Sequence, residues 1–196
     1  MHKHLVLILL SILALNFSAT AQRNTKCKVA FDEIDPFDSL HTVGSNVVAL
    51  GYMIPSLYET AKGPKFIEEA EAFLLYSEQD SISGFFLNLV LPEYKLQPIR
   101  AGMNVKMLLE DSTVIGLYNF PDEGQFDRNI NMRVYQHTCA LPLDYYYKLA
   151  FLKIDQIRVE YDQQFRTIIL SPQQQEALRA AIECVGEHVA LYPIKP

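Results

Sequence analysis

Apolar and polar residues alternate along much of this chain with the period of two that marks half-buried strands. Met103, Val105, Met107 and Leu109 alternate with Asn104, Lys106 and Glu110. Asp111-Ser112 turns the chain and residues 113–118 return, which predicts a hairpin. Ile130, Met132 and Val134 alternate with Asn131, Arg133 and Tyr135. Ile157, Val159 and Tyr161 alternate with Arg158, Glu160 and Asp162, and Asp162-Gln163-Gln164 turns that strand into residues 165–170. Residues 47–54 and 82–91 are apolar runs that read as buried strands, the second ended by Pro92. Residues 66–76 carry two signals. Glu68 to Ala72 favours helix, but Ala70, Ala72, Leu74 and Tyr76 alternate, and the flanking strands tip the expectation to strand.

The period changes late in the chain. Residues 143–152 follow Pro142 and predict a short helix. Residues 172–185 predict a longer one: Ser171 is the N-cap, Pro172 the first helical residue, and Gln174 completes a capping box. Leu178, Ile182 and Val185 form one apolar stripe, and Gly186 is placed to end the helix in the left-handed conformation. The expected fold is α+β, mostly antiparallel β, as a sandwich-like or curved sheet with a C-terminal helix on one face. Without an internal repeat or a linker, residues 44–196 read as one β-rich domain and residues 22–43 as an irregular N-terminal segment.

The first residues change this picture. Lys3 precedes an apolar run from Leu5 to Phe17, and Ala19 and Ala21 are the small residues that a signal peptidase reads. A spanning helix needs about 20 apolar residues, and this run has 13. Residues 1–21 therefore read as a cleavable signal peptide, with the cut between Ala21 and Gln22. The first cysteine, Cys27, lies behind polar Arg23-Asn24-Thr25-Lys26, which excludes a lipoprotein anchor. The mature chain is expected in the periplasm or outside the cell, without a membrane span. Losing Lys3 takes the net charge from −6 to −7. An acidic chain without a basic run is poorly suited to nucleic acid or an anionic membrane.

Few residues offer chemistry. No nucleophile elbow, phosphate loop or dinucleotide fingerprint occurs. His41, His137 and His188 are far apart in sequence and lack the spacing of zinc ligands. His137 and Cys139 share one strand face, as neighbours rather than an oriented dyad, and Cys184 lies beside the last helix's apolar stripe. Asp32, Asp35 and Asp38 fit no calcium loop and read as a solvated turn around Pro36. No catalytic, cofactor-binding or metal-binding residue is expected. Cys27, Cys139 and Cys184 permit one disulfide, with its pairing open. The unusual local feature is Tyr145-Tyr146-Tyr147: three successive helical residues cannot all face inward, so the triplet is a candidate exposed contact.

Taken together, Ala19-Thr20-Ala21 before Gln22, the early Cys27 with Ile34-Asp35-Pro36-Phe37, and the closing run through Ile154-Asp155-Gln156-Ile157-Arg158-Val159 resemble secreted, β-rich Bacteroidetes proteins of unknown function. The resemblance implies export and a β-rich fold, and carries no site. The function expected is a non-enzymatic exported module that binds a protein or envelope component. The alternative is a secreted hydrolase whose site assembles only in three dimensions.

Overall fold

The computed structural model describes residues 27–51, 53–60, 63–68, 70–93, 96–162 and 164–192. The expected signal peptide, residues 1–21, and its expected cut between Ala21 and Gln22 lie outside them. In chain order the strands are β1 (Phe31–Ile34), β2 (His41–Gly44), β3 (Val48–Ala49), β4 (Met53–Thr60), β5 (Gly63–Glu68), β6 (Glu71–Gln79), β7 (Ile82–Glu93), β8 (Gly102–Leu109), β9 (Val114–Asn119), β10 (Gln125–Asp127) and β11 (Met132–Leu141). Helix α1 (Leu143–Phe151) follows, then β12 (Ile154–Glu160), β13 (Phe165–Ile169) and α2 (Pro172–His188). Among the described residues no helix is long and apolar enough to cross a membrane.

Eleven strands form one antiparallel sheet ordered β1-β2-β6-β7-β11-β9-β8-β12-β13, with β3 beside β6 and β10 beside β11. β4 and β5 make a separate two-stranded sheet. Helix α2 packs on β3, β6 and β12, although four strands separate β6 from β12. The sheet therefore curves around the helix, the expected α+β arrangement. Its inner face carries Leu87, Leu89, Val105, Met107, Leu117 and Ile157, all fully buried with Leu178, Ile182 and Val185 of α2. Burial of each of those three helix side chains is worth about 1.5–3 kcal/mol. The capping box forms as the sequence predicts: the Ser171 hydroxyl accepts from Gln174 N–H, and the Gln174 side chain accepts from Ser171 N–H.

Local expectations need correction at four places. Residues 22–43 are not irregular throughout, since β1 lies within them and β2 begins at His41. Aspartate turns close the β1–β2 hairpin, with Asp35 accepting from Phe37 N–H and Asp38 from Leu40 N–H. The run 47–54 is not one strand: it splits between β3 and β4 around Gly51, whose φ is +65°. Ile130 lies in a turn, and β11 turns Tyr135, His137, Cys139 and Leu141 inward instead of Val134. A buried histidine hides that phase from a hydrophobicity pattern. Finally, Gly186 does not end the last helix, which runs on to His188. Ala190 takes the left-handed conformation at φ 59°, and Leu191 and Ala190 N–H bond back to Gly186 and Glu187 carbonyls. Gly186 is needed for another reason: a Cβ there would overlap the Tyr146 hydroxyl.

Candidate functional site

The tyrosine triplet is not an exposed patch. Tyr146 is fully buried, stacked on Phe85 at 4.3 Å, and its hydroxyl donates to the Leu191 carbonyl at 3.2 Å. Tyr145 and Tyr147 are half-buried against the core. The α1 backbone turns the middle ring inward and lays the outer two along the core's rim.

Two of the three described histidines meet at Asp32, which their sequence distance conceals. The C-terminal turn of α2 brings His188 beside the β1–β2 hairpin. Asp32 then accepts from His41 Nε2 and from His188 Nε2, each at 2.8 Å. Those bonds hold the Asp32 carboxyl below the usual carboxylate range. Asp35 and Asp38 serve their own turn instead. Among the described residues no three His, Cys, Asp or Glu side chains are placed to share a metal ion. Close by, Cys27 and Cys184 form a disulfide, and Cys139 is the buried free thiol.

His137 lies in a sealed polar network at the other end of the core. The Asn119 amide nitrogen donates to His137 Nδ1 at 2.9 Å and to Asn104 Oδ1 at 3.0 Å. Nδ1 must therefore accept, which leaves Nε2–H facing the Tyr161 hydroxyl at 3.3 Å. Burial lowers the His137 pKa from its ordinary 6.5 to about 4 and raises that of Cys139 to about 12. The Cys139 sulfur rests 3.8 Å from Asn119 Oδ1 and 3.9 Å from the His137 carbonyl. A protonated thiol and a neutral imidazole, both wholly buried, make structural neighbours. They are not an accessible nucleophile and base.

The network has a consequence for stability. Its imidazole is neutral when folded, whereas the unfolded chain takes up a proton below pH 6.5. The native state thus has the full benefit above pH 6.5 and loses it as pH falls toward 4. The pKa difference is worth about 3 kcal/mol. Urea unfolding at pH 7.5 and 4.5 should show a loss approaching that size, and His137→Asn should flatten the slope across this window. An equal slope in wild type and variant would mean that His137 is not the group responsible.

One cluster of exposed aromatic side chains lies on the sheet's outer face. Phe86 of β7 and Tyr118 of β9 flank Ala140 of β11 in one cross-strand row. Phe120, just past β9, is anchored by its N–H to the Thr138 carbonyl at 2.9 Å. Its ring lies 5.5 Å from Tyr118 and 6.3 Å from Phe86. Tyr118, Phe120 and Met103 are 44 %, 41 % and 57 % exposed. A hollow of about 350 Å³ adjoins the row between Phe86, Ala140, Pro142 and Leu143. The sequence carries a faint signal for this patch. Tyr118 and Phe120 have the parity of outward-facing Val114 and Gly116, opposite to buried Ile115 and Leu117, so both faces of β9 are apolar where one should be polar.

The molecule is thus an α+β protein with one curved antiparallel sheet, a sealed core and an aromatic patch outside. In comparisons with protein-family models, curated proteins and solved structures, the chain matches none.

Proposed function

We propose that this chain is an exported, non-enzymatic module that binds another protein, with the row Phe86–Tyr118–Phe120 as its contact surface. The patch carries the proposal. Large rings presented on a rigid sheet lose little entropy on binding, and aromatic residues are enriched at protein interfaces. The Tyr118 hydroxyl adds a polar handle at the rim. The apparent signal peptide and the Cys27–Cys184 disulfide support an oxidising compartment outside the cytoplasm. A hydrolase reading has less support, because the His137–Cys139 neighbours are sealed from substrate.

The test compares the mature chain with its Tyr118→Ser/Phe120→Ser variant as bait in an envelope extract. Both side chains are substantially exposed, so the variant should keep the wild-type melting curve. Loss of two interface aromatics should weaken capture of a specific partner by at least about 2 kcal/mol, roughly thirtyfold. Equal capture by both baits would remove the patch from the function.

A further inference from the structure

Strand β13 ends the sheet, and among the described residues nothing pairs with its outer edge. Two bonds set the phase of its ladder with β12: Tyr161 N–H to the Gln164 carbonyl at 2.8 Å, and Leu170 N–H to the Asp155 carbonyl at 2.9 Å. Bonded and non-bonded pairs alternate in an antiparallel ladder, and this register is unbroken. Arg166 and Ile168 therefore turn their backbone groups toward β12. Phe165, Thr167 and Ile169 present N–H and C=O at the free edge.

Exposed edges are normally blunted by lysine, proline, a bulge or an unpaired inward charge. The opposite edge follows that rule: β1 carries Asp32 and Glu33 and runs into Asp35-Pro36. β13 does not. It has no lysine, proline or bulge, and its one charge, Arg166, is already paired with Glu93. Phe165 is 61 % exposed and Ile169 73 %. Arg158 steadies this surface, with its guanidinium 4.7 Å above the Phe165 ring and its Nε donating to the Thr167 hydroxyl.

We propose that β13 is a self-association edge, which pairs antiparallel with β13 of a second copy about a two-fold axis at Thr167. The segment Phe165-Arg166-Thr167-Ile168-Ile169 is complementary to itself in that register. Thr167 lies opposite its own copy and Phe165 opposite Ile169. These are threonine–threonine and aromatic–β-branched pairs, both favourable across strands. The three residues facing each other are those whose backbone groups are free, so the edge amides of both copies are satisfied together. No shift by one residue achieves this, because it would set outward-facing backbone groups against inward-facing ones. A five-residue strand covers less than the roughly 1,200 Å² of stable interfaces, so the dimer forms and dissociates with concentration. An unrelated extended peptide would use the same edge, but nothing on it favours a foreign sequence over its own.

The experiment is sedimentation velocity on the disulfide-intact mature chain, from about 5 to about 500 µM. The average mass should climb toward that of a dimer. Thr167→Pro removes a free-edge N–H without touching a backbone bond to β12, and Ile169→Lys places a charge beside the partner's Phe165 while keeping the backbone intact. Each should weaken association at least about tenfold. Thr167→Cys should give a symmetric crosslink under mild oxidation, because facing Cα atoms in a bonded pair lie about 5.5 Å apart. A monomer throughout this range overturns the proposal. So does a dimer indifferent to both substitutions, including one abolished instead by Tyr118→Ser/Phe120→Ser.

Discussion

Replacing Cys27 and Cys184 by serine should cost about 5 kcal/mol of stability, the chain-entropy value for a crosslink across 157 residues. That is comparable with the whole net stability of many domains. The loss arises mainly in the unfolded chain, which the disulfide otherwise restrains by joining its N-terminal segment to the last helix. Two signatures follow. The melting temperature should fall by roughly 10–20 °C, and the urea m value should rise because the uncrosslinked chain exposes more surface on unfolding. Thiol titration supplies the companion measurement. The native protein should react slowly or not at all, since Cys139 is fully buried. The denatured protein should show one thiol, and the reduced and denatured protein three. A double-serine variant with unchanged melting and m value would show that the folded ends hold together without the bond.

The second large effect is expected at Glu93. This carboxylate is 2 % exposed and receives a two-pronged contact from Arg166, Nε to Oε1 at 2.9 Å and Nη2 to Oε2 at 2.8 Å. The pair links the far end of β7 to β13 across the curved sheet. Arg166→Met keeps most of the side-chain volume but leaves a buried negative charge uncompensated, at a cost of about 3–5 kcal/mol. Glu93→Gln together with Arg166→Met removes the charge as well, so the double variant should recover much of the loss. Urea unfolding of the four proteins in a mutant cycle measures the coupling. If Arg166→Met stays within about 1 kcal/mol of wild type, Glu93 does not carry a buried charge and the contact is incidental.

Much of this fold was legible in the sequence. The β8–β9 hairpin, the β12–β13 hairpin, α1 and the capped start of α2 all follow from period, turn residues and caps that act over a few positions. The inward phase of β11 was not legible, because His137 behaves as a core residue only once Asn119 and Tyr161 satisfy its nitrogens. The role of Gly186 was not legible for a related reason. A glycine near a helix end fits a stop signal, whereas its real constraint is a ring from another helix, 40 positions earlier at Tyr146. Of the sites, the tyrosine triplet was visible but its burial was not. The outer aromatic row draws one residue from β7, one from β9 and one from the turn beyond it, so no single window of sequence holds it. Pairing of Cys27 with Cys184, and of Asp32 with His188, depends on the last helix returning to the first hairpin.

That return sets the order of assembly. Cys184 and His188 are made after every strand of the sheet, yet they complete contacts begun at Cys27 and Asp32. The helix that fills the concave face also arrives after every strand it supports. Contacts so distant in sequence are slow to close, and they cannot form before residues 172–188 have left the ribosome. The concave face of the sheet should therefore stay uncovered while the strands are made and close only once α2 has emerged. A slow-folding chain of this kind remains threadable through a narrow conduit for longer than one whose early hairpins could stand alone.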